Sequence, residues 1–125
     1  MNKLKLFLLI SFSQLLNSQS IIGAWEKYET NSDGSTHRHV VIFSEGFKST
    51  SVFDSSNGKF ISTNGGAWFL NGSNLIEKIE FDTQDQEKVG STIKFEIEIK
   101  DNTITNINSG KTWNRIDDGS PGQLN

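Results

Sequence analysis

The stretch that decides the fold is Ile93-Lys94-Phe95-Glu96-Ile97-Glu98-Ile99-Lys100. Apolar and charged residues alternate strictly along it, and successive side chains of a β-strand point to opposite faces of the sheet. The apolar residues therefore face one way and the Lys and Glu residues face the other. This pattern predicts an antiparallel strand with one buried and one solvated face.

Shorter segments on both sides of this stretch alternate in the same way, and clusters of Asn, Asp, Ser and Gly separate them. Two of these clusters, residues 31–35 and 54–58, are typical hairpin turns. No long stretch predicts a helix. The predicted strands are Ile22–Thr30, His37–Phe43, Phe47–Phe53, Lys59–Thr63, Ala67–Leu70, Leu75–Phe81, Ile93–Lys100, Thr103–Ile107 and Lys111–Ile116.

These strands predict an all-β fold, a single up-and-down antiparallel β-barrel of about eight strands, because closing a sheet on itself removes its unpaired edges. Asn64-Gly65-Gly66 interrupts the pattern and predicts a bulge or a close approach of two backbones. The interior of an eight-stranded barrel is either filled by side chains or holds one small ligand. The residues alone leave both possibilities open.

Residues 1–20 have the three parts of a secretory signal peptide: basic Lys3 and Lys5, an apolar run from Leu6 to Leu16, and small residues at Ser18 and Ser20. The apolar run is shorter than the roughly 20 residues that span a bilayer. We therefore expect residues 1–20 to be cleaved, residues 21–116 to form the barrel domain and residues 117–125 to form a disordered tail.

Charge and cysteine content narrow the class of protein further. The chain has no cysteine, so it has neither a lipoprotein anchor nor a disulfide, and the core must supply its stability. Loss of Lys3 and Lys5 changes the formal net charge from −3 to −5, which disfavours nucleic acids and anionic membranes as partners. We expect a secreted or periplasmic monomer without a membrane anchor.

Gly23-Ala24-Trp25 on the first strand and Trp113-Asn114-Arg115 on the last resemble the lipocalin superfamily. The chain is also similar to bacterial secreted lipocalin-like domains at residues 65–68, 77–81 and 89–90. The resemblance covers nearly the whole mature chain. It implies a calycin-type barrel in which Gly23 and Trp25 open the first strand and Arg115 packs across Trp25.

Arg115 and Glu77 are the candidate charged residues of the barrel interior. A guanidinium can lie flat on an indole, which gives Arg115 a structural role on Trp25. Alternatively, Arg115 points inward and binds an acidic ligand. Glu77 shares its face with Ile79 and Phe81, so its carboxylate is expected inside, either paired with Arg115 or near the barrel mouth, or serving as a polar anchor for a ligand.

Aromatic side chains offer walls for a ligand cavity or simply form the core. Trp113, Phe69 and Phe95 are the candidates for ligand contact. The wider aromatic set is Phe43, Phe47, Phe53, Phe60, Trp68, Phe69, Phe81 and Phe95.

His37 and His39 lie two residues apart on one strand and form a weak candidate for metal binding. A solvent-facing pair beside a turn is the favoured interpretation, and we expect no metal and no cofactor.

The sequence therefore predicts a non-catalytic, exported lipocalin-like protein that binds a small apolar or amphipathic ligand such as a lipid or fatty acid. The alternative is a filled barrel that acts as a protein-interaction module in the periplasm or at the cell surface. An isomerase or hydratase would require a convergent acid and base, which the sequence does not reveal.

Overall fold

Nine β-strands make up the computed structural model, which describes residues 21–121. One turn of 3-10 helix spans Gln86–Lys88. The predicted signal peptide lies outside the described residues. The strands are β1 Gly23–Thr30, β2 Thr36–Ser44, β3 Phe47–Asp54, β4 Phe60–Asn71, β5 Asn74–Lys78, β6 Phe81–Asp82, β7 Thr92–Lys100, β8 Thr103–Asn106 and β9 Thr112–Asp117.

Eight of the strands form a closed antiparallel up-and-down barrel, which confirms the fold predicted from the sequence. Each strand pairs with the next along the chain, with β5 pairing directly with β7. The ring closes where β1 pairs with β9. The extra strand, β6, pairs with β4.

The glycine pair lies inside a continuous strand rather than between two strands. The predicted segments Lys59–Thr63 and Ala67–Leu70 both belong to β4, which pairs with β3 along most of its length. A Cβ on Gly66 would collide with the backbone carbonyl of Lys78, and the φ of Gly66 is +156°. The glycines therefore allow the close backbone approach that was one of the two predicted explanations.

The predicted strand Leu75–Phe81 is divided into β5 and β6. Ile79 and Glu80 lie between them and leave the regular ladder: the Ile79 N–H donates to the Ser91 carbonyl at 2.9 Å, and the Glu80 N–H donates to the Gly65 carbonyl at 2.7 Å. A local irregularity of this kind bends a strand without ending the sheet.

The core occupies the end of the barrel where β1 begins. It consists of buried apolar side chains from six strands and the residues just before β1. The buried cluster contains Ile21, Trp25, Val41, Phe43, Trp68, Leu75, Ile97 and Ile104.

Within residues 21–121, none of the helical segments is long and apolar enough to cross a bilayer.

The last strand extends beyond the predicted domain boundary. Asp117 is the final residue of β9, so it does not belong to the predicted tail. Its carboxylate accepts a hydrogen bond from the Gly119 N–H at 2.7 Å, and the Asp118 carboxylate accepts one from the Ser120 N–H at 2.9 Å. The disorder of the remaining tail stays a prediction, and residues 122–125 lie outside the described part.

Candidate functional site

The Trp25–Arg115 contact closes one end of the barrel. The guanidinium carbon of Arg115 lies 4.1 Å from the ring centroid of Trp25, and the two residues pair across β1 and β9. Arg115 Nη1 donates to the Ile22 carbonyl at 3.0 Å, and Trp25 Nε1 donates to the Ile21 carbonyl at 2.9 Å. A Cβ on Gly23 would collide with the Asp117 carbonyl, which explains the glycine two residues before Trp25.

A cavity of about 40 Å³ lies inside the barrel. Three of the five predicted ligand-contact residues line it: Glu77, Phe95 and Trp113. Arg115 does not line it, and this placement corrects the alternative in which Arg115 binds an acidic ligand in the interior. The complete lining is Trp25, Val41, Phe43, Lys48, Leu75, Glu77, Phe95, Ile97, Ile104 and Trp113.

Phe69 lies on the outside of the barrel, where 57% of its surface is exposed. Its neighbour Trp68 is buried and donates from Nε1 to the carbonyls of Ser44 and Phe47. Since adjacent residues of a strand face opposite sides, only one of these two aromatic residues can point inward. The expectation that Phe69 lines the interior is therefore wrong, and Trp68 occupies the inner position.

Glu77 is buried, with 4% of its surface exposed, and it pairs with Lys48 rather than with Arg115. Lys48 Nζ lies 2.6 Å from Glu77 Oε1 and thereby compensates its charge. The contact between Lys48 and Glu77 is an ion pair. Oε1 keeps a lone pair for a further donor.

Trp113 supplies a buried polar atom that lacks a hydrogen-bond partner, its indole Nε1. Leaving a buried donor or acceptor unsatisfied costs about 1–3 kcal/mol. The donor of Trp113 and the acceptor of Glu77 belong to residues that line the same cavity. The cavity therefore combines mostly apolar walls with the indole donor of Trp113 and the Lys48–Glu77 ion pair, and a few polar groups among apolar walls are typical of small-ligand sites.

A second cluster of polar side chains lies farther along β1, toward the β1–β2 turn. We call Lys27, Glu29, His39 and Lys111 the lysine cluster. Glu29 Oε1 forms ion pairs with Lys27 Nζ at 2.6 Å and with Lys111 Nζ at 2.5 Å. Glu29 Oε2 lies 3.3 Å from His39 Nε2. Hydrogen bonds from the two ammonium groups, Lys111 first, lower the pKa of Glu29 to about 2.

Burial shapes the protonation of the lysine cluster. Desolvation is the largest cause that lowers the pKa of Lys27 below 10.5, and it is also the largest cause that lowers the pKa of His39 below 6.5. Lys27 Nζ lies 4.9 Å from the ring centroid of Trp113, so the cluster borders the cavity wall. Lys27 and Glu29 were not predicted as site residues from the sequence, although both continue the period-2 face of Trp25.

The histidine pair faces the barrel interior rather than solvent. His39 pairs with Lys27 across β1 and β2, His37 pairs with Glu29, and the His39 side chain is largely buried against Glu29. The expected solvent-facing arrangement is therefore corrected. Among residues 21–121, no group of three or more His, Asp or Glu side chains is arranged to hold a metal ion.

Similarity to known proteins does not add a function to either site. Comparisons with protein-family models, with curated proteins and with solved structures gave no match for this chain. Function is therefore inferred from the geometry of the cavity and of the lysine cluster.

Proposed function

We propose that this protein is an exported, non-catalytic binding protein that holds a small amphipathic ligand inside its barrel. One observation carries the proposal: the buried donor Trp113 Nε1 has no hydrogen-bond partner, and Trp113 lines the same cavity as Glu77, whose carboxylate is ion-paired with Lys48. A ligand with a hydroxyl or amide group can accept from Trp113 and donate to Glu77, because such a group donates and accepts at once.

The size of the cavity restricts the ligand class. Its volume is about 40 Å³, whereas pockets for drug-sized ligands measure roughly 300–1,000 Å³. A long acyl chain does not fit in such a volume without repacking of the core. The geometry therefore favours a short alcohol or amide over the fatty acid expected from the sequence.

Binding of short alcohols and primary amides to the purified protein tests this function directly. Chemical shifts of the Trp113 indole N–H, followed by NMR during titration, report the contact at that atom. We expect saturable shifts with the alcohol and amide, and much weaker ones with an alkane of matched size, because the alkane leaves the indole N–H of Trp113 unsatisfied.

Three variants test whether ligand affinity depends on the side chains that line the cavity. Trp113→Phe removes the indole donor and is expected to weaken binding by about fivefold or more, which corresponds to about 1 kcal/mol. Glu77→Gln replaces the charged acceptor with a neutral amide oxygen, which accepts more weakly, and is expected to weaken binding by a smaller factor. Phe69→Ala changes the outer face and serves as the matched control with unchanged affinity. Equal affinity in all three folded variants contradicts the proposal.

A second function is favoured by a separate observation on the outer face. A groove of about 380 Å³ is lined by Tyr28, Arg38 and Phe53, together with residues of the β3–β4 turn. Tyr28 is 57% exposed and Phe60 is 56% exposed, and the Phe60 ring packs edge-on against Phe53 at a centroid distance of 6.1 Å. Exposed aromatic side chains gathered around an arginine are typical of protein-interaction surfaces.

If this groove is a protein-interaction surface, a partner protein must bind through its exposed aromatic side chains. Wild-type protein and a Tyr28→Ser/Phe60→Ser variant, both immobilised, are compared for retention of proteins secreted by the same host. A partner retained only by the wild type, and binding it again when purified, supports this function. A partner retained equally by both proteins contradicts it.

A further inference from the structure

The lysine cluster contains more positive charge than its central carboxylate balances. Lys27 and Lys111 both contact the same oxygen of Glu29, at 2.6 and 2.5 Å. One carboxylate compensates one of these two ammonium charges, and His39 adds a third donor 3.3 Å from the other oxygen. The cluster is therefore suited to a second anion.

The cluster is partly closed and partly open to solvent, as a binding site must be. The Lys27 side chain is 10% exposed, whereas the Lys111 side chain is 54% exposed, so one cation is desolvated and the other is reachable from water. An ion pair with a desolvated cation is stronger than one on the surface. The exposed end provides the entry route.

Other acidic residues near this end do not supply the missing charge. Hydrogen bonds from Ser35 and from Ser56 are the largest causes that lower the pKa of Asp33 and of Asp54, and the nearby charge of His37 adds to both shifts. Both carboxylates are held in turns by short bonds from the hydroxyl groups of Ser35 and Ser56, at 2.6 Å each. They therefore lie beside His37 at the turns, and neither contacts an ammonium group of the cluster within the described residues.

We propose that Lys27, Lys111 and His39 form a binding site for a small oxyanion, a carboxylate or a phosphate, beside Glu29. The site is separate from the cavity, because Lys27 lies over the Trp113 ring and does not line the cavity. The inference therefore stands independently of the alcohol or amide ligand. It adds a second, charged ligand class to the barrel.

Anion binding is coupled to protonation of His39. The groups that face this imidazole are Lys27 and Glu29 from β1, His37 from its own strand, and Lys111 next to β9. A bound anion adds negative charge beside the imidazole and so favours its protonated form. Anion affinity is therefore expected to rise as the pH falls.

Calorimetric titration of the protein with sodium acetate and with inorganic phosphate, at constant ionic strength, tests the site. We expect the association constant for acetate to increase by about threefold between about pH 7.5 and about pH 5.5, because a bound anion favours the protonated form of His39. Phosphate changes its own charge over this range, so its affinity is compared with that of acetate at a single pH. Sodium chloride at the same ionic strength is the control for general screening. Saturation by acetate only, or by phosphate only, supports the site and identifies the oxyanion.

Four variants make the test specific. Lys111→Met is expected to weaken acetate binding by about threefold, as for loss of a partly exposed ion pair. Glu29→Gln is expected to strengthen it by a similar factor, because the competing carboxylate is gone. His39→Gln abolishes the pH dependence. His37→Gln, on the same strand, keeps a pH dependence, with its midpoint shifted to higher pH because the charge of His37 no longer opposes protonation of His39.

NMR titration of the imidazole signals provides a readout that a structural role would not change. The chain has two histidines, so His37→Gln assigns the signal of His39. Saturating acetate is expected to raise the pKa of His39. No saturable binding by either anion, or a weaker anion affinity in folded Glu29→Gln, overturns the proposal.

Discussion

At the scale of single residues, Arg115 stabilises the closed end by contacts that include the face of Trp25 and the carbonyl of Ile22. A cation–π contact contributes about 0.5–2 kcal/mol, and a hydrogen bond contributes about 1 kcal/mol. We expect Arg115→Ala to lower the free energy of unfolding by about 1–3 kcal/mol. Urea unfolding followed by tryptophan fluorescence measures this change.

Arg38 on the outer face is the matched control for Arg115. It donates to Glu26 at 2.7 Å, but its side chain is exposed enough for solvent to screen the pair. Arg38→Ala is therefore expected to cost less than about 1 kcal/mol. A loss in Arg115→Ala no larger than in Arg38→Ala would show that Arg115 does not seal the barrel end.

Glu29 makes stability depend on pH in the acid range. Its folded-state pKa of about 2 lies below its ordinary value of 4.5, so its pairing stabilises the fold fully above about pH 4.5. This contribution is lost progressively as the pH falls from about 4.5 toward about 2. In urea unfolding, the stability difference between wild type and Glu29→Gln is expected to shrink across this window. A difference that stays constant from pH 6 to about 2.5 contradicts the assignment.

At the scale of elements, the close packing of β4 against the end of β5 and the residues between β5 and β6 requires a glycine. A Cβ on Gly66 would collide with the Lys78 carbonyl and would lie 2.9 Å from the Glu80 backbone nitrogen. Because both neighbours are backbone atoms, they cannot rotate away. We expect Gly66→Ala to destabilise the barrel by roughly 3 kcal/mol or more, measured by urea unfolding.

The turn glycine Gly72 is the control for this effect. Its φ is +62°, but nothing lies within 4 Å of an added Cβ. Gly72→Ala therefore carries only the conformational penalty of about 1–2 kcal/mol. Equal losses in the two variants would show that conformation, rather than the close approach of the strands, requires Gly66.

At the scale of the whole molecule, barrel closure brings the two ends of the domain together. Ala24 at the start of β1 pairs with Asp117 at the end of β9. A short Gly-Ser linker between residues 118 and 21 should therefore join the ends without strain. We expect a permutant with new ends between Ser56 and Asn57, in the β3–β4 turn, to keep a single cooperative urea transition.

A second permutant controls for the position of the cut. New ends between Val40 and Val41 interrupt β2, which pairs with both β1 and β3. This variant is expected to lose the cooperative transition, since the cut leaves strand edges unpaired. Cooperative unfolding of the β2 permutant, or its loss in the turn permutant, would contradict the closed ring.

The sequence by itself determined most of the strands, their order and the inward direction of Trp25, Glu77, Phe95 and Trp113, but it divided β4 at the glycine pair and joined β5 to β6. These properties follow from local alternation and turn chemistry, both of which are short-range. Alternation could not say which of Trp68 and Phe69 points inward, because either choice satisfies the period.

Only the tertiary structure decided which polar residues meet inside the barrel. Lys48 reaches Glu77 across β4, and Lys111 reaches Glu29 through the β1–β9 closure. Such contacts depend on the register of strands that are distant in the chain, and a shift by one residue would turn every side chain to the other face. The volume of the cavity could not be predicted from the sequence either, because it is the small space that remains after all the side chains have packed.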